Sequence, residues 1–262
     1  MLFSKKSSRN TTYREPEAVE SPTLRGVDIG AAYYGERRGG DFYDFRLVNS
    51  RLLFLLLDVS GERDEAQNVA AYVQEQFRQG ATSLFAATEV NEADALVELS
   101  ISLNRAVLSA ADGVRQTSAF LGCCNPGLGT ISYSNAGHVP GLLRDGSRIT
   151  ELAATGLPFG LFSHATHDAP TIALPPGAAL LLASRGVIEG LCKGSEFGLD
   201  GVKRALAETM APSAQRLCAE VLNEVERFMC APPLHNDVTT LALCRCDAKS
   251  NAGGAPALPP ER

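Results

Sequence analysis

The most constraining feature of the chain is an uninterrupted apolar run from Leu52 to Leu57. The run has the length of a strand, and its unbroken apolar character indicates that both faces of that strand are buried. A strand with one face in water would alternate apolar and polar residues instead. The fold must therefore place other elements against both faces of this strand.

The elements on either side of this strand come in an order typical of an α+β protein. Apolar stripes with helical spacing run from Ala66 to Phe77 and from Leu96 to Ala106, and Asn91 is expected to cap the second helix. Short strand patterns follow between residues 117 and 183, then two more helices and a last strand. Paired helices and hairpin-like strand runs indicate α+β layering, not the alternation of a doubly wound sheet.

One domain, residues 26–246, is predicted between two disordered tails. Residues 1–25 are rich in Ser, Thr, Glu and Arg with little periodic hydrophobicity, and residues 247–262 are rich in small residues, Pro and Gly. The region between them contains no linker composition and no internal repeat.

Charge and hydropathy argue against two classes of partner. The net charge is −6 and the basic clusters are short pairs, which argues against a nucleic acid. No apolar run approaches the ~20 residues of a membrane span, and the N-terminus lacks a signal core, so a cytoplasmic location is expected. The seven cysteines lack framework spacing and are interpreted as buried free thiols in a reducing compartment.

Two aspartates are brought together by the turn before the apolar strand. If residues 49–50 form a two-residue turn, the hairpin register places Asp41 directly opposite Asp58. Carboxylates with Cβ atoms about 4.5–5.5 Å apart repel each other unless one is protonated or a cation lies between them. Nearby glycines let the backbone approach a ligand closely. The pair therefore predicts a site for a hard cation such as Mg²⁺ or Mn²⁺.

Eight segments, taken in order, resemble the motifs of PPM-type (protein phosphatase 2C-like) metal-dependent Ser/Thr phosphatases of the bacterial SpoIIE/RsbU branch. They include a TSAFLG strand and a YSNAGH segment, and the match extends over about residues 27–246. The segments are Gly39–Asp44, Leu57–Gly61, Leu103–Arg105, Thr117–Gly122, Tyr133–His138, Gly156–Gly160, Leu181–Val187 and Asn236–Thr239.

The resemblance implies a fold, a cofactor and a class of substrate. The fold would be an α-β-β-α sandwich, in which two antiparallel sheets are flanked by helices. A pair of Mn²⁺ or Mg²⁺ ions at one edge would activate a water that attacks the phosphorus of phosphoserine or phosphothreonine. The usual partner is a phosphorylated regulatory protein, such as an anti-sigma-factor antagonist in a partner-switching pathway.

Two of the four positions that carry metal-binding aspartates in the family differ here. The resemblance maps these positions onto Asp41, Asp58, Arg185 and Asn236, with Asp237 next to the last. A guanidinium repels a cation, and Asn offers only a neutral oxygen. The site therefore carries less negative charge than four aspartates would, which favours one cation. We expect Asp41 and Asp58 to be catalytic and metal-binding, with Asn236 and Asp237 as further ligands; two ions remain the alternative.

Three hypotheses about activity remain open. In the first, Arg185 takes the place of the second cation and binds the substrate phosphate, and turnover is slow. In the second, the domain is a catalytically impaired pseudophosphatase that binds a signalling partner without turnover. In the third, acids such as Glu62, Glu189 or Asp237 rebuild a second metal site.

Overall fold

The computed structural model of the protein describes residues 14–34, 40–110, 116–209, 213–230 and 237–246. The strands within these ranges are β1 (Val27–Tyr34), β2 (Asp41–Val48), β3 (Arg51–Val59), β4 (Thr117–Asn125), β5 (Thr130–Ala136), β6 (Gly141–Asp145), β7 (Arg148–Leu152), β8 (Thr171–Ala173), β9 (Ala179–Ala183), β10 (Leu191–Cys192), β11 (Ser195–Glu196) and β12 (Val238–Arg245). The helices are α1 (Arg63–Leu84), α2 (Glu92–Ala110), α3 (Arg185–Ile188), α4 (Gly198–Glu208) and α5 (Ala214–Phe228).

Two five-stranded sheets form the centre of the fold. One has the order β1-β12-β9-β6-β7 and the other the order β2-β3-β4-β5-β8. All the strand pairs described in these sheets are antiparallel. Strands β10 and β11 form a separate two-stranded ribbon.

The side chains of β3 alternate between two apolar layers. Leu53, Leu55 and Leu57 belong to a cluster with the buried faces of α1 and α2. Their neighbours Phe54 and Leu56 pack instead against side chains of β9 and β12 in the other sheet. This alternation explains why an apolar residue is needed at every position of the strand.

The opposite sheet is covered in the same way by the C-terminal helices. Leu181 of β9 faces a cluster that includes Leu217, Val221 and Val225 of α5 and Leu206 of α4. The order of layers is therefore helices, sheet, sheet, helices, which confirms the predicted α+β sandwich with two antiparallel sheets.

Asn91 caps α2, as the sequence predicts. Its Oδ1 accepts hydrogen bonds from the backbone N–H groups of Ala93 and Asp94, at 3.2 and 3.3 Å. Such a cap satisfies N–H groups that have no partner within the helix.

Part of the expected N-terminal tail lies against α1. The backbone N–H and C=O of Glu17 form a pair of hydrogen bonds with the side chain of Gln74, at 2.7 and 3.1 Å. The limits of the domain remain a prediction, and residues 1–13 and 247–262 lie outside the described residues. Among the helices that the structure describes, none is long and apolar enough to cross a membrane.

The cysteine prediction is wrong for one pair. Cys192 and Cys230 form a disulfide, whereas the other five cysteines are free. The two bonded residues are separated by 38 positions, and only the meeting of β10 with the end of α5 brings them together. Of the free cysteines, Cys123, Cys124 and Cys218 are buried, as predicted, whereas Cys244 and Cys246 are only partly buried.

Candidate active site

A tight hairpin places the two predicted aspartates face to face. Asn49 and Ser50 have φ angles of 47° and 63°, the left-handed geometry that a two-residue turn of this kind requires at both positions. The register that follows pairs Asp41 with Asp58. This confirms the predicted pairing, which needs no bulge in either strand.

Gly40 fixes the end of this hairpin. Its carbonyl accepts a hydrogen bond from the N–H of Val59 at 3.1 Å. A Cβ atom at residue 40 would lie 2.0 Å from the Val59 carbonyl oxygen, so only glycine fits there without a backbone shift. The close approach holds the strand end that carries Asp41 against the end that carries Asp58.

The other sheet contributes a second group of side chains to the same edge. Ser184 follows β9, and its N–H donates to the carbonyl of Thr239 at 2.9 Å. The Ser184 hydroxyl accepts from the Thr239 N–H at 3.0 Å and donates to the Asp237 carbonyl at 3.2 Å. These bonds tie the end of β9 to the start of β12, and therefore fix Arg185 relative to Asp237.

Asp41 lies in an environment that disfavours a lone negative charge. Its Oδ2 is buried and has no hydrogen-bond partner among the described residues. The backbone N–H of Asp41 donates to Asp237 Oδ2 at 3.3 Å. Burial and the neighbouring Asp58 raise the pKa of Asp41 well above its ordinary value, and the nearby hydroxyls of Ser184 and Thr239 only partly oppose this shift. Asp41 therefore needs either a proton or a cation.

Asp58 forms an ion pair with Arg185. Arg185 Nε lies 3.7 Å from Asp58 Oδ2, too far for a hydrogen bond but close enough for an ion pair. Burial raises the pKa of Asp58, Arg185 opposes that shift, and Asp237 adds to it. Arg185 is also 4.0 Å from Glu189, and its side chain is 44% exposed. A positive charge therefore already stands beside the aspartate pair.

The structure brings together four of the five residues predicted for the site. Asp41, Asp58, Asp237 and Arg185 act on one another electrostatically at this edge. Asn236 lies outside the described residues. Within the described part of the chain, no three His, Cys, Asp or Glu side chains are already arranged to hold an ion. The unpartnered Asp41 oxygen and three mutually repelling carboxylates nevertheless suit one hard cation in chemistry.

Two neighbours of the site were not assigned to it from the sequence. Ser184 forms the hydrogen bonds that join the two strand ends, and a hydroxyl residue directly after an apolar strand was the available signal. His138 ends one of the family-like segments; burial lowers its pKa to about 4, and nearby Arg185 contributes to the shift. Its Nδ1 lies 3.0 Å from the Val139 carbonyl, so the ring is a neutral donor to that oxygen.

The fold and the paired aspartates define a domain of the PPM phosphatase class. The family model for stage II sporulation protein E (SpoIIE) matches residues 49–245, and the chain belongs to this family. The family as a class consists of PPM-type Ser/Thr phosphatases. A comparison with curated protein sequences finds no match.

Solved structures of the same class have similar folds. The RsbU and RsbW domains of Rv1364c from Mycobacterium tuberculosis are 25% identical, with a TM-score of 0.67; the match covers 88% of this chain and 64% of that one. The SiaA-PP2C domain of Pseudomonas aeruginosa is 16% identical, with a TM-score of 0.71, and the match covers 84% of this chain and 86% of that one. The PstP catalytic domain, solved with two manganese ions, is 13% identical with a TM-score of 0.61; the match covers 84% and 99% of the two chains.

Proposed function

We propose that the protein acts on phosphoserine or phosphothreonine of a bacterial regulatory protein, with one divalent cation and with Arg185 in place of the second. The observation that carries this proposal is the Arg185–Asp58 ion pair beside a buried, uncompensated Asp41. The guanidinium of Arg185 provides a positive charge at a position where phosphatases of this class use a second metal ion.

One Mn²⁺ or Mg²⁺ ion fits the charges at this edge. Asp41, Asp58 and Asp237 bring three carboxylates, and Arg185 neutralises part of their charge. A single divalent cation would balance the remainder, whereas a second one would stand against the guanidinium. We assign Asp41, Asp58 and Asp237 as its ligands, with Asn236 as a further oxygen donor. When bound, such an ion lowers the pKa of water and offsets charge on phosphate oxygens.

Arg185 is the residue that we assign to the substrate phosphate. A guanidinium offers planar N–H donors that match phosphate oxygens, and it keeps its charge at any physiological pH. Its side chain is 44% exposed, so a phosphate arriving from solvent can reach it. A bound phosphate would take over part of the electrostatic attraction that now holds the Arg185 guanidinium beside Asp58. Because one cation is missing from the usual pair, turnover is expected to be slow.

The partner that we propose is a phosphorylated anti-sigma-factor antagonist or a protein of similar regulatory role in the cytoplasm. The support is membership of the SpoIIE family and the likeness to a chain with RsbU and RsbW domains. The match covers only 64% of that longer chain, so the similarity in fold does not by itself establish a shared partner, and the partner is a proposal.

A second candidate function is recognition of the same partner without turnover. The same ion pair favours it, because an arginine held at Asp58 by charge competes with a cation for that carboxylate. The domain would then be a pseudophosphatase that binds, and thereby sequesters, a signalling protein.

Hydrolysis of p-nitrophenyl phosphate with and without Mn²⁺ separates the two candidates. Slow release of p-nitrophenol that depends on Mn²⁺ and disappears in Asp41→Asn supports the phosphatase. The matched control is Asp200→Asn, which removes an exposed carboxylate that pairs with Lys203 on α4. No release by the wild type, together with activity gained by Arg185→Asp, supports the pseudophosphatase. Activity that Asp41→Asn leaves unchanged contradicts both.

A further inference from the structure

Regular strand pairing places a serine in line with the two aspartates of the candidate site. Asp58 pairs with Asp41 on β2 and, on its other side, with Ser118 on β4. Directly paired residues of antiparallel strands project from the same face of the sheet, with Cβ atoms about 4.5–5.5 Å apart. The three side chains therefore form a row across one face of the sheet, and Ser118 lies beyond Asp58 as seen from Asp41.

The hydroxyl of Ser118 is open to a ligand. The residue is 6% exposed, and its hydroxyl has no hydrogen-bond partner among the residues that the structure describes. Its oxygen reaches the surface, whereas the unpartnered Oγ1 of neighbouring Thr117 is sealed from solvent. Thr117 pairs with Val59 and projects from the opposite face, as alternation along a strand requires. Ser118 thus offers a free O–H donor on the face that carries the aspartates.

Arg185 lies close to the same part of this sheet. Its Nε is 3.7 Å from Asp58 Oδ2, and its charge also contributes to the lowered pKa of His138. His138 lies beside β4, since the residue before it is bridged to the residue after Ser118. The guanidinium therefore acts on residues that flank Ser118 on both sides.

Two other polar side chains beside Arg185 are not available as donors to a ligand. The Ser184 hydroxyl is fully buried and already donates to a backbone carbonyl. The ring of His138 donates from Nδ1 to a backbone carbonyl, so its buried Nε2 carries no proton. Of these four side chains, Ser118 and Arg185 are the ones whose donors a ligand can reach from solvent.

The spacing of the row favours an anion over a cation as the partner of Ser118. Neighbouring strands lie about 4.8 Å apart, so the Cα atoms of Ser118 and Asp41 are about 10 Å apart across the sheet. An ion midway between Asp41 and Asp58 is then about 7 Å from the Ser118 Cα, beyond the reach of a serine oxygen. A phosphate oxygen, by contrast, accepts hydrogen bonds from a hydroxyl and from a guanidinium alike.

We propose that Ser118 donates a hydrogen bond from its hydroxyl to an oxygen of the substrate phosphate, beside the oxygens that Arg185 holds. This role rests on the proposed function, because the phosphate site itself depends on Arg185. A phosphate group has several terminal oxygens, so the cation, the guanidinium and the hydroxyl can each bind a different one. The hydroxyl is uncharged and leaves the cation undisturbed, so it contributes to the affinity for phosphate alone.

Phosphate binding by the full chain loaded with Mg²⁺ tests the proposal. The dissociation constant of inorganic phosphate is measured by phosphorus NMR titration, and that of Mg²⁺ by calorimetry without phosphate. Ser118→Ala should weaken phosphate binding at least fivefold, because a hydrogen bond to a charged acceptor is lost. The same variant should change Mg²⁺ affinity less than twofold. Ser118→Thr, which restores the hydroxyl, should bind phosphate within twofold of the wild type.

Controls separate this role from a structural one and from failure of the phosphate site. Ser132→Ala removes a buried hydroxyl of β5, which lies 2.7 Å from the Thr171 hydroxyl, and should leave phosphate binding unchanged. Equal phosphate affinity of Ser118→Ala and the wild type, with binding lost in Arg185→Met, would overturn the role of Ser118 and keep the phosphate site. A fivefold loss of Mg²⁺ affinity in Ser118→Ala would assign the hydroxyl to the cation and also overturn this role. No phosphate binding by the wild type would refute the proposed phosphate site, and this role with it.

Discussion

Replacing Arg185 by Met tests whether its charge weakens cation binding at the aspartate pair. Met keeps much of the aliphatic bulk of the side chain but removes the guanidinium. The guanidinium now lies 3.7 Å from Asp58, so a cation held by that carboxylate would sit close to it. Loss of the positive charge should therefore tighten the binding of Mn²⁺.

The size of this effect follows from Coulomb's law. A divalent and a monovalent cation about 5 Å apart repel each other by roughly 1.7 kcal/mol in water. The Arg185 side chain is 44% exposed, so a water-like dielectric is the appropriate choice. Removing the repulsion should lower the dissociation constant about 15-fold.

Isothermal titration of metal-free protein with Mn²⁺ at neutral pH measures the change. The matched control is Arg216→Met, which removes the same charge from a side chain that is 68% exposed at the start of α5. The control should change the dissociation constant less than twofold. A tenfold gain in the control, or no gain in Arg185→Met, would refute the proposed repulsion.

Three further predictions concern stability. The raised pKa of Asp41 means that the folded state favours its protonated form, so metal-free protein should lose stability as pH rises from near 3.8 through the folded pKa. In thermal melts, Asp41→Asn should remove much of this loss. A pH profile of stability that the variant leaves unchanged would contradict the raised pKa of Asp41. Cys192→Ser opens a loop whose ends are 38 residues apart and should cost about 2–4 kcal/mol in urea unfolding; reduced wild type should lose as much, and a variant as stable as the oxidised wild type would contradict the prediction. Glu92→Gln leaves buried Arg51, now 2.6 Å from the carboxylate, without its counter-charge and should cost about 3 kcal/mol; a loss below about 1 kcal/mol would show that the pair is not desolvated.

Local features of the site could be predicted from the sequence. The Asp41–Asp58 pairing depends only on a two-residue turn and on regular strand pairing, both of which act over a short stretch of chain. The two-sided burial of the apolar strand follows from its composition alone. Register and burial are therefore readable wherever neighbouring residues determine them.

Contacts between distant segments could not be derived in this way. Arg185 reaches Asp58 only because β9 and β3 lie in sheets that pack face to face, and family resemblance, not spacing, placed the two residues in one site. The Cys192–Cys230 bond depends on where α5 ends relative to β10, which no local pattern encodes. The role of Ser184 could not be predicted for a similar reason, because its hydrogen-bond partners are Thr239 of β12 and Asp237, which directly precedes β12.

The number of Mn²⁺ ions bound per chain tests the central claim most directly. Titration calorimetry of the wild type should give one ion per chain, and Asp41→Asn should abolish that binding. The reason is that Arg185 already supplies positive charge beside Asp58. Two ions bound per wild-type chain with similar affinity would contradict the account, because the second would have to lie against the Arg185 guanidinium.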